Sequence, residues 1–186
     1  MRQYPMSLSS GVKVLSALVV VLLCALPLLV WSVIPGFELG GSRGPAGSGI
    51  QDATRWATFL APLIAGACWA LAPRAIEIEG GELRILRRAW RGVAYPLSRV
   101  DRVGLLPPRW LVGAVRIFGN GGLFGYYGRF YKKGVFRLFA SRRDRLVEVV
   151  VDGKRVVLSP DDPARLVEGI LAAAPRARQA TGPTPA

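Results

Sequence analysis

Ala75–Leu86 reads AIEIEGGELRIL, and its period of two decides what kind of domain follows. Ile76 and Ile78 alternate with Glu77 and Glu79, and Leu83 and Ile85 then alternate with Glu82 and Arg84. Such alternation puts the apolar side chains on one face of an extended chain. Gly80-Gly81 suits a tight turn with positive φ, so the stretch predicts a β-hairpin.

The same signals repeat toward the carboxyl end. Gly92–Pro96 predicts a third strand, Ser98–Arg102 a turn or single helical turn, and Val103–Leu106 a strand ended by Pro107-Pro108. Ala114–Phe118, Val135–Ala140, Leu146–Val151 and Arg155–Ser159 read as further strands, the last two joined at Asp152-Gly153. In Pro160–Ala174, PDDPARLVEGILAAA, Asp162 is a good N-cap and Pro163 a good first helical residue. Leu166, Val167, Ile170 and Leu171 then form one apolar stripe. The order is about seven strands followed by one amphipathic helix. The tail Pro175–Ala186 has no apolar periodicity and reads as disordered.

Toward the amino end the pattern changes. Val14–Ile34, VLSALVVVLLCALPLLVWSVI, carries no charge, and as a helix it would cover roughly 30 Å. Trp56–Ala72, WATFLAPLIAGACWALA, is a second uncharged run. Together they predict a two-helix transmembrane hairpin, with Pro27 kinking the first helix. The first run has a longer apolar core than a signal peptide needs, and no small-x-small site follows before Pro35. The expected organisation is a cytoplasmic amino end at 1–13, spans at 14–34 and 56–73, and a Gly/Pro-rich external loop at 35–55. A β domain at 74–174 and the tail at 175–186 follow. Basic residues flank the spans while the loop is neutral, which predicts that both termini are cytoplasmic in a multi-pass membrane protein.

The 186 residues carry a net charge of +13, unevenly placed. From Arg74 onward there are 21 Lys/Arg against 10 Asp/Glu, a net of +11. Such a domain is suited to anionic lipid headgroups. There is no histidine, which removes the commonest general base and most metal sites. Cys24 and Cys68 lie in the apolar runs, where a thiol acts as a small hydrophobe. No catalytic, cofactor-binding or metal-ligating residue is therefore expected, and the chain reads as non-enzymatic.

Phe118–Arg137, FGNGGLFGYYGRFYKKGVFR, interleaves glycine, aromatic and basic residues. It fails the GxGxxG and GxxxxGK[ST] phosphate-loop patterns, and nucleic acid is not an expected partner. Most of its aromatics are expected to fill the β domain. Tyr131, Lys132 and Lys133, with Arg129, are candidates for contact with a membrane or partner, because rings and cations together suit the headgroup region. Two further candidate clusters are Arg87, Arg88, Trp90 and Arg91, and Arg142 with Arg143.

Three blocks carry a resemblance: IEIEGGELRILRRAWRGVAYPLSRVDRV, RIFGNGGLFGYYGRFYKKG and VVLSPDDPARLV. With the two apolar runs before them, they resemble bacterial pleckstrin-homology (PH)-like membrane proteins. The resemblance covers roughly Arg74–Ala173. It implies a seven-stranded bent barrel capped by the carboxyl-terminal helix, and it supplies no catalytic residue. The expected function is a PH-like domain presented at the cytoplasmic face of the bacterial inner membrane for lipid or protein contact. The alternative is an assembly or accessory subunit whose domain oligomerises or docks a protein without binding lipid.

Overall fold

The computed structural model describes residues 2–33, 48–180 and 182. The predicted hairpin is present as β2 (Pro73–Glu79) and β3 (Glu82–Arg87), antiparallel with Ile76 opposite Ile85 and Ile78 opposite Leu83. Gly80 and Gly81 take φ of 58° and 77°, the two positive values that a tight type I′ turn requires. β4 (Val93–Pro96) continues the meander on β3. On the other side of β2 lies β1 (Arg2–Pro5), so this sheet runs β1-β2-β3-β4.

A 3-10 turn at Leu97–Arg99 leads into β5 (Val100–Leu106) and a second, seven-stranded sheet. Its strands are β5, β6 (Val115–Gly122), β7 (Gly125–Tyr131), β8 (Val135–Ala140), β9 (Leu146–Val151), β10 (Lys154–Leu158) and β11 (Arg178–Ala180), in the order β11-β5-β9-β10-β8-β7-β6. β9 and β10 form the Asp152-Gly153 hairpin, and β10 pairs β8 in parallel. All six residues of β9, LVEVVV, are buried. Such a run follows from a sheet covered on both faces. On one face Val147, Val149, Val156 and Leu158 join the main core with Ile76, Leu83, Leu166 and Ile170. On the other, Leu146, Val157, Phe136 and Leu138 form a smaller core roofed by Trp110 and Leu111.

Glu148 and Arg155 are buried beside that smaller core as an ion pair of 2.6 Å. Arg155 lies over the Trp110 and Phe136 rings and donates to the Lys133 carbonyl at 3.1 Å. The pair ties β9 and β10 to the turn after β7.

α3 (Pro163–Ala173) closes the main core. Asp162 caps it, its carboxylate accepting the Arg165 N–H at 3.1 Å. β1 is fastened at the same end. Tyr4 and Met6 are buried in the main core, and Asp161 accepts the Ser7 N–H and hydroxyl at 2.9 and 2.5 Å.

α1 (Ser10–Val33) and α2 (Ser48–Leu71) pack on each other, and α1 also touches β6. The Ser16 hydroxyl, buried on α1, accepts the Phe124 N–H at 2.8 Å. Apolar side chains including Leu18 and Val21 of α1 and Phe59 and Leu63 of α2 remain exposed.

The structure corrects the expected architecture. Among the described residues no helix is long and apolar enough to cross a membrane. This overturns the two-helix transmembrane hairpin at 14–34 and 56–73, and with it the integral bilayer contact and the multi-pass inner-membrane placement with cytoplasmic termini. Each helix extends beyond its apolar run at the amino end. α1 takes in Lys13, and α2 begins at Ser48 and takes in Asp52 and Arg55. Nor is the β domain one seven-stranded bent barrel: it has sheets of four and seven strands, with a parallel pair inside the larger. Residues 48–55, expected in a loop, are helical, and residues 35–47 of that loop, with Ile34 of the expected first span, lie outside the described residues. Arg178–Ala180 of the expected tail forms β11, parallel to β5.

Candidate functional site

The glycine-rich segment is the β6–β7 hairpin, and its glycines allow a sharp crossing. Gly119 pairs with Gly128, at φ of 115° and 132°. A Cβ on Gly119 would collide with the Tyr127 carbonyl, and one on Gly128 with that of Phe118. Two bare backbones can therefore cross where no side chain would fit. A register shift between Arg116 and Phe118 adds to the distortion. The Asn120 side chain closes the turn, its amide donating to the Leu123 carbonyl and to the Tyr127 hydroxyl. Tyr127 in turn donates to the Cys68 carbonyl of α2 at 2.8 Å, and burial pushes its phenol above its ordinary pKa. The hairpin is thus clamped to the end of α2.

Between them lies a cleft of about 670 Å³. Leu71, Val93, Phe118 and Phe139 supply apolar walls. Its charged lining is Arg87, Arg116, Arg129 and Arg137, with no carboxylate. None of the four makes an ion pair with a carboxylate among the described residues. Arg129 stands directly opposite Arg137 across the β7–β8 ladder. Like charges so placed repel, at a cost of a few tenths to about 1 kcal/mol. Arg137 donates to the Tyr95 hydroxyl at 3.4 Å. The Arg87 guanidinium lies 6.0 Å from the centre of the Phe139 ring, and its Nε is buried without a partner. A charged donor left so costs about 1–3 kcal/mol unless something binds it. Planar guanidinium forks with no protein counter-charge match the oxygens of a phosphate or carboxylate.

Residues 74–173 match the family model described as a bacterial PH domain. The chain belongs to that family. No curated protein and no solved structure matches it. All four arginines lie within the matched PH domain, whereas Cys68 and Leu71 precede it. The cleft is therefore built jointly by the PH domain and the helix leading into it.

The expected candidates do not gather in one site, although Arg87, Arg88, Trp90 and Arg91 stay together. Arg87 and Arg129 face the cleft. Arg87 also borders a second, shallow depression, which it shares with Arg74, Arg88, Trp90 and Arg91 and where the Arg88 Nε is buried and unpartnered. Tyr131 is exposed at the end of β7. Lys132 is engaged within the fold: its ammonium donates to the Trp110 and Val112 carbonyls and lies over the Trp110 ring. Lys133 occupies a turn at φ 48°. Arg142 forms a fork on Asp144 with bonds of 3.1 and 2.9 Å, which holds that carboxyl below its ordinary pKa. Arg143 lies over the Tyr126 ring. Sequence reasoning missed Arg116 and Arg137. The signal for Arg137 was available, because a hairpin folded about Lys133 sets Arg129 against Arg137.

Proposed function

We propose that this PH domain is a non-catalytic binding module that docks on anionic lipid headgroups through its arginine cleft. The observation that carries the reading is Arg129 facing Arg137 in a concave site without a carboxylate. Repulsion of this kind is relieved by an anion, and the net charge of +11 from Arg74 onward draws the domain toward an anionic surface. Co-sedimentation of the full chain with vesicles tests it. Vesicles containing phosphatidylglycerol should bind it more tightly than neutral phosphatidylcholine vesicles. The difference should shrink as salt rises, because exposed charges are screened over about 8 Å at physiological ionic strength. Equal binding to both vesicle types at low salt would remove the headgroup reading.

Docking of a protein is the second reading, and β6 favours it. Among the described residues this strand pairs with β7 alone, and Val115, Ile117 and Phe118 on it are exposed. An open apolar edge is a template for a further strand.

A further inference from the structure

Resting on the headgroup reading above, we infer that the cleft accommodates one lipid molecule whose head is a phosphate monoester, with an acyl chain against the apolar wall. Two features of the cleft point to this ligand class. The first is charge: four guanidiniums and no carboxylate line one cavity, and the buried Nε of Arg87 has no partner. A monoester offers up to two negative charges and three terminal oxygens, whereas a diester offers one charge and two. The monoester is the better match for several guanidinium forks. The second is the wall. Leu71, Val93, Phe118 and Phe139 line the same cavity, and Phe118 is 76% exposed at its margin. A free anion would leave these side chains facing water, whereas an acyl chain would cover them. Beyond the cleft, the exposed Phe59 and Leu63 of α2 offer further apolar surface on the same helix as Leu71.

The test uses the full chain in a neutral detergent, with bound lipid counted by native mass spectrometry. The probes are dioctanoyl phosphatidic acid, dioctanoyl phosphatidylglycerol, sn-glycerol 3-phosphate and inorganic phosphate. Phosphatidic acid should bind one per chain, at least about tenfold tighter than glycerol 3-phosphate, because only it carries acyl chains to bury. It should also bind more tightly than phosphatidylglycerol. Arg116→Ala with Arg129→Ala should weaken it about tenfold or more. The same charge change at the exposed Arg165 and Arg176 should leave it within about twofold. Phe118→Ser should reduce the advantage of phosphatidic acid over glycerol 3-phosphate without weakening the latter. Equal affinity for glycerol 3-phosphate and phosphatidic acid would overturn the inference in favour of a free-anion site. Equal affinity for the two lipids would overturn the monoester head. Salt-sensitive preference for anionic vesicles without one-to-one lipid binding would overturn the inference alone. Loss of both would overturn the headgroup reading as well.

Discussion

Arg155 and Arg129 show what burial does to the same side chain. Arg155 is 9% exposed and fully engaged, with Glu148 at 2.6 Å, a backbone carbonyl and two rings around it. Arg129 is exposed and faces another arginine. The first therefore belongs to the fold. Arg155→Ala should lower stability by about 3–5 kcal/mol, because it breaks a buried ion pair by removing one member. Arg155→Met with Glu148→Leu should recover most of that, since the pair then leaves together. Urea unfolding of the three chains checks this, and a double variant as unstable as the single one would mean that more than the broken ion pair is lost.

At the scale of elements, β1 was the least expected piece. Arg2–Pro5 follows no apolar period that would announce a strand, and its partner β2 lies some seventy residues away in sequence. Gly169 on α3 records the docking: a Cβ there would strike the Tyr4 hydroxyl. Gly169→Ala should therefore destabilise the full chain by about 1–3 kcal/mol through overpacking. It should cost little in a chain lacking residues 1–9, where that space is empty. Equal costs in both chains, measured by urea unfolding, would show that Tyr4 is not what Gly169 accommodates. The elements legible in the sequence were the ones with local signals. The Gly80-Gly81 and Asp152-Gly153 turns, the strands at 135–140 and 146–151, and the Asp162 cap all declare themselves within a few residues. Long-range pairing does not, which is why β1, β11 and the parallel β8–β10 contact were missed. The apolar runs alone do not say what surrounds them: Leu18 and Val21 of α1 and Phe59 and Leu63 of α2 stay exposed although the two helices pack on each other. α1 and α2 lie against each other, and α1 lies against β6.

For the whole molecule, the matched PH domain at 74–173 is not a self-contained unit in this structure. Residues before it complete its smaller sheet with β1 and wall its cleft with Cys68 and Leu71. The cleft is lined by four arginines and no carboxylate. On the proposed reading, this like-charge cluster is a stability cost retained for binding. That claim is tested most directly on one variant, Arg129→Ser, measured twice. Urea unfolding in phosphate-free buffer should give a stability equal to the parent or higher by up to about 1 kcal/mol, since a like-charge pair is removed. Binding to phosphatidylglycerol vesicles at low salt should fall about tenfold. A variant that loses more than about 1 kcal/mol of stability while binding those vesicles as the parent does would contradict the account, because Arg129 would then serve the fold and not the ligand.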